Sequence, residues 1–160
     1  MNTKIEINGI ETKRLGSSLD KTGATVNIMS ASQVGMTPLA AIYLKSYAEL
    51  IEAGHAWPRM NGHNKIRAIY ATVDDEIVGF ITYELMPELM MIHIVFSRTD
   101  PKFRNRGIYK LLFAELEKLA RSLKYVKIYS ETGARNTGII ASHASVGMKT
   151  MYLKNEKDIL

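Results

Sequence analysis

Three apolar segments that follow one another between residues 66 and 97 constrain the fold more than any other feature of the chain. They are Ile66–Val73, Ile77–Leu85 and Met90–Ser97, and all are rich in Ile, Val, Phe, Tyr and Thr. β-Branched and aromatic residues favour strands. The first two segments are separated by only a few residues around Asp74-Asp75, as in strands joined by a tight turn. The pattern therefore predicts an antiparallel meander of three strands.

The chain after the meander alternates helix and strand. Ile108 and a series of leucines recur at helical spacing up to residue 123, with charged residues opposite, which predicts an amphipathic helix. Tyr125–Ser130 predicts a strand, so the last strand of the meander, this helix and the new strand form a strand–helix–strand unit. Asn136 can cap a further short helix that ends near residue 146, and Met148–Leu153 predicts a closing strand.

The N-terminal third of the chain predicts smaller elements. Lys4–Leu15 is typical of a hairpin around Asn8-Gly9, and the stretch GSSLDKTG after it is typical of a flexible link. Ala24–Ser30 predicts a short strand. Thr37-Pro38 predicts a helix start, with Thr37 as the N-cap and Pro38 at the first helical position, and Gly54 ends that helix.

Length and composition fit a single globular domain. The chain has 160 residues, of which 46% are hydrophobic and 23% charged, enough for one full core. We expect one α/β (α+β) domain over residues 1–160. Its central sheet would be mixed, mostly antiparallel and flanked by helices, with residues 1–23 as an N-terminal hairpin and flexible extension. The apolar runs are too short to span a bilayer and the N-terminus lacks the order of a signal peptide. We therefore expect a cytoplasmic protein with no membrane partner.

Charge and cysteine content limit the chemistry of the chain. It contains no Cys, which excludes disulfides and thiolate metal sites, and no His, Asp and Glu residues follow metal-ligand spacing. Lys and Arg number 21 and Asp and Glu 16, so the net charge is +5 and favours anionic ligands. Because the basic residues are scattered, a small phosphorylated ligand explains the charge as well as nucleic acid does.

The segment DPKFRNRGIYK, residues 100–110, lies between a predicted strand and the amphipathic helix, where an anion site can form. The first backbone N–H groups of a helix lack internal partners and carry partial positive charge. Gly107 would allow the backbone to approach a phosphate closely, and Arg104 and Arg106 add positive charge. The alternative is a basic turn that opens a helix.

Two motifs resemble the GCN5-related N-acetyltransferase (GNAT) superfamily. The loop is similar to the family's Arg/Gln-x-x-Gly-x-Gly/Ala at Arg104 and Gly107. The family's second pattern, Asn-x-x-Ala/Ser-x-x-x-Tyr/His-x-x-x-Gly-Phe, is met at Asn136, His143, Gly147 and Met148. Tyr109 and Ile139 depart from these patterns, since the family has small residues there. The resemblance covers residues 66 to 152 and implies a GNAT-like domain that binds acetyl-CoA or another acyl-CoA.

The resemblance also implies where the cofactor binds. In the family the loop amides bind the CoA pyrophosphate, and the preceding strand pairs with the pantetheine arm. The residues implied to bind the cofactor are Ser97, Thr99, Arg104, Asn105, Arg106, Gly107, Ile108, Tyr109, Asn136 and His143. The Tyr109 side chain either points away from the cofactor or lies alongside its adenine or pyrophosphate.

A general base is implied on the last strand of the meander. His93-Ile94-Val95-Phe96 resembles the Glu-Ile-Val-Phe of histone-acetyltransferase-type members, in which the carboxylate is the base. An imidazole suits deprotonation of an amine near neutral pH. Strand alternation predicts that His93 shares a face with Met91, Val95 and Ser97. The alternatives are that His93 is a hydrogen-bonded residue of a half-buried strand, or that Glu84 is the base.

Two further catalytic roles follow from the resemblance. His143 occupies the position of the family's general acid for the CoA thiolate. The alternative is that His143 is a packing residue of its helix. Ser97, where the strand is expected to separate from its neighbour, would offer its backbone N–H to the thioester carbonyl.

These inferences predict an acyl-CoA-dependent N-acyltransferase, most simply one that transfers acetyl from acetyl-CoA to an amine by direct attack. The class of the acceptor amine stays open between a small molecule, a protein and a nucleotide. The alternative function is a catalytically silent GNAT-fold module that binds nucleic acid or a protein partner, to which the positive charge and Tyr109 point. Dimers are frequent in the family, so a homodimer is an option.

Overall fold

The computed structural model describes residues 4–7, 10–34, 38–54, 65–133 and 135–150. The strands in these ranges are β1 (Lys4–Ile7), β2 (Ile10–Leu19), β3 (Thr25–Ala31), β4 (Arg67–Val73), β5 (Glu76–Met86), β6 (Met91–Thr99) and β7 (Lys127–Ser130). The helices are α1 (Leu39–Glu52), α2 (Ile108–Ser122) and α3 (Thr137–Ser145). Short 3₁₀ turns at Pro87–Leu89 and Pro101–Phe103 flank β6.

The seven strands of the described ranges form one sheet in which the spatial order follows the chain order. Each strand from β1 to β6 pairs antiparallel with the next, whereas β7 runs parallel to β6. A parallel neighbour requires a crossover connection, which α2 provides. The predicted fold class, the meander and the strand–helix–strand unit are therefore confirmed.

Hydrophobic clusters cover both faces of the sheet. Ile69 packs in the cluster that contains the buried side of α2, and its neighbour Tyr70 packs in the cluster that contains the buried side of α1. Successive side chains of a strand point to opposite faces, so the two clusters lie on opposite faces. We call these the α2 face and the α1 face.

Gly79 on β5 fixes the start of α2 against the sheet. A Cβ atom at this position would lie 3.0 Å from Ile108 Cγ2 and 3.2 Å from the Arg98 carbonyl oxygen. Ile108 is the first residue of α2 and is fully buried. The absence of a side chain at Gly79 therefore lets the N-terminus of α2 sit beside the end of β6.

The first half of the stretch predicted as a flexible link is a strand. Gly16 to Leu19 belong to β2, because their backbone pairs with β3 up to Leu19 opposite Thr25. Only Asp20 to Gly23 form a turn. Its backbone closes because the Gly23 N–H donates to the Asp20 carbonyl oxygen and the Asp20 N–H donates to the Ala24 carbonyl oxygen. Backbone pairing across a sheet overrides the weak strand preference of Gly and Ser.

Predictions about element ends were partly wrong. Pro38 is the N-cap of α1 rather than its first helical residue, and Asn136 is the N-cap of α3 without a side-chain hydrogen bond. Met148 to Thr150 form no strand. The rest of the predicted closing strand, the Asn8-Gly9 turn and Thr37 lie outside the described residues. In the part of the chain that the structure describes, no helix is long and apolar enough to cross a membrane.

Candidate functional site

A β-bulge shapes β6 in the middle of the strand. The register with β5 shifts between Thr82 and Tyr83, so Ile94 pairs with Tyr83, Phe96 pairs with Thr82, and Val95 is the extra residue. The Thr82 hydroxyl donates a hydrogen bond to the Phe96 carbonyl oxygen at 3.1 Å. An extra residue of this kind interrupts the alternation of side chains along a strand.

The bulge places His93 and Ser97 on opposite faces of the sheet. Ser97 pairs with Ile81, which packs on the α2 face. His93 pairs with Glu84, which follows a residue of the α2 face and so lies on the α1 face. The prediction that His93 and Ser97 share a face is wrong, because Val95 adds one residue between them.

β6 and β7 separate after Ile94 of β6. Their parallel register begins at Met91 opposite Lys127 and ends at Ile94 opposite Ser130. Among the described strands, none pairs with β6 on that side from Val95 onward. A cleft opens there, lined by the end of β6, the start of α2, and α3. The separation predicted at Ser97 is thus confirmed.

The backbone at the start of α2 contains two residues in the left-handed region. Asn105 has φ 61° and Gly107 has φ 88°. Asn tolerates this conformation and Gly adopts it without strain. Gly107 is the N-cap of α2 and provides no side-chain hydrogen bond to the first turn. The N-terminal N–H groups of α2 are therefore suited to bind an anion.

The Arg106 side chain is bound by the β2–β3 turn. Its Nε donates to Asp20 Oδ2 at 2.6 Å, and its Nη2 donates to Thr22 Oγ1 at 2.9 Å. The Lys21 N–H donates to the Arg106 carbonyl oxygen at 3.1 Å, and the guanidinium carbon lies 4.6 Å from the centre of the Phe103 ring. Arg106 thus connects the β2–β3 turn to the loop before α2. Because its side chain is bound there, the backbone N–H of Arg106 is the group for the predicted cofactor contact.

Asp20 is the buried acceptor of this arrangement, and its side chain has no solvent exposure. Burial by itself raises the pKa of Asp20. Hydrogen bonds from the hydroxyl and N–H of Thr22, from the Ala24 N–H and from Arg106 outweigh burial and lower the pKa to about 2. Asp20 is therefore ionised at neutral pH. We call the Asp20–Arg106 pair, with Thr22, the loop clamp.

Arg104 differs from Arg106 in its surroundings. It is exposed, and its Nε donates to the Thr99 carbonyl oxygen at 3.4 Å. It makes no ion pair with a described residue. Its guanidinium can therefore reach a phosphate next to the start of α2, whereas that of Arg106 is neutralised by the loop clamp.

The two candidate bases form one pair on the α1 face. His93 Nδ1 lies 3.6 Å from Glu84 Oε2, and the two side chains are 19% and 24% exposed. The His93 ring also stacks on Tyr129 of β7, with 4.6 Å between ring centres and 13° between the ring planes. The two residues are therefore close enough to act together rather than as alternatives.

Ser97, Tyr109 and His143 meet in the cleft on the α2 face, and we call them the polar cluster. The Tyr109 and His143 rings have centres 6.1 Å apart and planes tilted by 46°. Ser97 Oγ, Tyr109 Oη and His143 Nε2 are buried, and none has a hydrogen-bond partner among the described residues. Most buried polar atoms in proteins are hydrogen-bonded, so three such atoms in one cleft favour a polar ligand.

Burial keeps two groups of the polar cluster uncharged at neutral pH. It raises the pKa of the Tyr109 hydroxyl, an effect that the nearby Ser97 side chain opposes only in part. It also lowers the pKa of His143 below the ordinary histidine value of 6.5. Tyr109 therefore holds its proton, and His143 is a neutral imidazole.

The remaining predicted residues take more limited positions. The Ile108 side chain is 1% exposed and packs in the core, so only its backbone can face a ligand. Thr99 pairs with Gly79 at the end of β6, and Asn136 accepts the first backbone bond of α3 from Ile140. In the described ranges no group of three His, Asp or Glu residues could hold a metal ion.

Three functional neighbours were missed from the sequence. Asp20 and Thr22 lie in the stretch DKTG, whose composition signals only a turn. Tyr129 lies in a short strand, where an aromatic residue is ordinary. Only their contacts with Arg106 and His93 show that they belong to the site.

A comparison with protein families finds one match. The model described as "Acetyltransferase (GNAT) family" matches residues 37–148, well over half of the chain. These residues include α1 and β4 to α3, and thus most of the cleft lining. No curated protein sequence matches.

Solved structures with the same fold include several acetyltransferases. An integron cassette protein from the mobile metagenome of V. cholerae has a TM-score of 0.63 and 17% identity, covering 84% of this chain and 92% of that chain. An aminoglycoside acetyltransferase from an uncultured soil metagenomic sample has a TM-score of 0.62 and 18% identity, covering 84% and 99%. The aminoglycoside N-acetyltransferase AAC(6')-Iy in complex with CoA has a TM-score of 0.58 and 15% identity, covering 83% and 98%. At these identities the likeness establishes a shared fold.

Proposed function

Because this chain belongs to the acetyltransferase (GNAT) family, we propose that it transfers an acetyl group from acetyl-CoA to a primary amine of a small molecule. Family membership makes an acyl-CoA the cofactor, as predicted, and acetyl-CoA supplies a thioester that an amine can attack directly. The observation that carries the proposal is the His93–Glu84 pair, one residue before the point where β6 and β7 separate.

The cleft residues fit an acyl-CoA. From Val95 onward, the edge of β6 that faces away from β5 offers backbone groups to an extended, amide-containing arm. The start of α2, with Gly107 in the left-handed region, suits a pyrophosphate, and the exposed Arg104 adds positive charge. The polar cluster offers three atoms that need hydrogen-bond partners.

His93 and Glu84 supply the base. An amine is protonated near neutral pH and must lose a proton before its lone pair can attack. His93 accepts this proton, and the Glu84 carboxylate stabilises the resulting imidazolium across 3.6 Å. The stacked Tyr129 ring fixes the orientation of the imidazole.

A small-molecule amine is the acceptor that the surroundings of His93 favour. The α1 side of the cleft is lined by Ser46, Tyr47 and Glu49. The Glu49 carboxylate is paired with Arg98 at 3.3 Å, so the carboxylate near the base is that of Glu84. Carboxylates attract cationic amines. Several proteins with this fold carry the name aminoglycoside acetyltransferase, so aminoglycosides are the first acceptors to test.

A CoA-release assay with a panel of amines tests the proposal. The panel contains aminoglycosides, polyamines, lysine peptides and nucleotides, and mass spectrometry identifies the acetylated nitrogen. We expect turnover with at least one small amine. Turnover with peptides alone would contradict the acceptor class. Salt-sensitive retention on DNA, with no effect of acetyl-CoA on the melting temperature, would support a silent binding module instead.

Substitution of the base gives the residue-level prediction. His93→Gln should lower kcat by about 100-fold or more, since general base catalysis contributes that much, while the Kd for acetyl-CoA stays within about twofold. Glu84→Gln should lower kcat less, because it only stabilises the imidazolium. Tyr70→Phe, in the core cluster of the α1 face, is the control. Equal kcat in His93→Gln and the unsubstituted protein would exclude His93 as the base.

A further inference from the structure

The β2–β3 turn carries Lys21 across the start of α2. The Lys21 backbone N–H donates to the Arg106 carbonyl oxygen at 3.1 Å. The Lys21 side chain runs past Gly107, the N-cap of α2. A Cβ atom at Gly107 would lie 3.8 Å from Lys21 Cγ and 3.9 Å from Lys21 Cε, which are ordinary contact distances. The ammonium nitrogen is bonded to Cε, so the positive charge of Lys21 lies beside the first N–H groups of α2.

The loop clamp fixes this turn without using the Lys21 side chain. Asp20 and Thr22, the residues on either side of Lys21, bind the Arg106 guanidinium. The Lys21 side chain is exposed and makes no ion pair with a described residue. The clamp therefore neutralises Arg106 and also holds the backbone of Lys21, whose charge takes the place of the Arg106 charge at the loop.

Lys21 shares the cleft with the other groups that suit a phosphate. It lines the same cleft as Arg104 and Gly107. The cleft also gives an independent sign of a ligand, because His143 is only 9% exposed and its Nε2 has no hydrogen-bond partner among the described residues. The positive charges of Lys21 and Arg104 thus add to the partial positive charge of the α2 N-terminus.

We propose that the Lys21 ammonium group binds the pyrophosphate of the acyl-CoA. This inference rests on the proposed function, in which the pyrophosphate lies at the start of α2. Lys21 precedes residues 37–148, the part of the chain that matches the acetyltransferase family, so the contact belongs to the N-terminal segment of this chain. A hydrogen bond between a charged donor and a charged acceptor is stronger than one between neutral groups.

Equilibrium binding of CoA, measured by calorimetry on the full chain, tests the inference without any turnover. Lys21→Met keeps an unbranched apolar side chain and removes the charge. The Kd for CoA should rise about fivefold, the upper size of one exposed ion pair, and the difference should shrink when the salt concentration is raised to about 0.5 M. Lys45→Met makes the same change on the exposed side of α1, away from the cleft lining, and should leave the Kd unchanged.

Two further measurements separate the pyrophosphate contact from other roles of Lys21. Dephospho-CoA lacks the 3′-phosphate but keeps the pyrophosphate, so Lys21→Met should weaken its binding by the same factor. Lys21→Arg keeps the positive charge and should bind CoA within about twofold of the unsubstituted protein. An unchanged Kd for CoA in Lys21→Met would overturn the inference. Weaker binding of CoA but not of dephospho-CoA would assign Lys21 to the 3′-phosphate and overturn it as well. Equal weakening in Lys21→Arg and Lys21→Met would show a packing role and likewise overturn it.

The binding test and the activity test fail independently. Binding of CoA and of dephospho-CoA requires neither an amine nor His93. Weaker binding of both ligands to Lys21→Met, together with no acetylation of any amine, would refute the proposed function and retain the contact to the pyrophosphate. Acetylation of an amine, with an unchanged Kd for CoA in Lys21→Met, would refute only that contact.

Discussion

The loop clamp and the polar cluster both adjoin the start of α2, but they differ in how their polar groups are satisfied. In the clamp, the buried Asp20 carboxylate accepts hydrogen bonds from Thr22, Ala24 and Arg106. In the cluster, the buried polar atoms have no hydrogen-bond partner in the described ranges. The clamp is thus complete within the described residues, whereas the polar atoms of the cluster are open to a ligand.

This difference separates stability from binding. A completed buried network contributes to folding, so its loss should destabilise the free protein. Unpartnered buried groups oppose folding, so their removal should spare the free protein and weaken a ligand that bonds to them. Substitutions in the two regions should therefore change different measurements.

The largest effect is expected from the loop clamp. Asp20→Asn removes the charge that balances Arg106 and should lower the melting temperature at pH 7 by roughly 5 °C or more. Asp75→Asn, an exposed residue of the β4–β5 turn, is the matched control and should change it by less than about 2 °C. Equal melting temperatures for the two variants would show that the clamp adds nothing to stability.

An acid titration sharpens the same comparison. The pKa of Asp20 is about 2 in the folded protein, against an ordinary value of 3.8. A lowered folded-state pKa contributes stability that is present above the unfolded value and is lost as the pH falls toward the folded value. The difference in melting temperature between the unsubstituted protein and Asp20→Asn should stay constant from pH 7 to 5 and shrink between about pH 4 and 2. A constant difference down to pH 2 would contradict the assigned pKa.

The sequence predicted the fold because each element has a local signal. The meander, α2 and β7 have side-chain periods of two and 3.6 that need no information from distant residues. The family motifs likewise locate Arg104, Gly107 and His143 within short segments. These parts of the fold and of the candidate site could therefore be predicted.

The remaining features depend on contacts that no local pattern contains. Asp20 and Arg106 are 86 residues apart, so nothing near either residue signals the pair. From the sequence alone, Arg106 is as available to a phosphate as Arg104. The bulge at Val95 is one extra residue in a strand of ordinary composition, yet it moves Ser97 to the face opposite His93.

The smallest effect is expected from His143 of the polar cluster. Its pKa is lowered by burial from 6.5, so the unfolded chain binds a proton at this residue before the folded protein does. Its contribution to stability is therefore full above about pH 6.5 and is lost as the pH falls below that value. Glutamine cannot be protonated in this pH range. Between pH 7 and 5 the melting temperature of His143→Gln should therefore fall by about 1–2 °C less than that of the unsubstituted protein. An equal fall in the melting temperature of His143→Gln and of the unsubstituted protein would show that His143 is not held neutral. His143 would then be available as an imidazolium acid in the polar cluster.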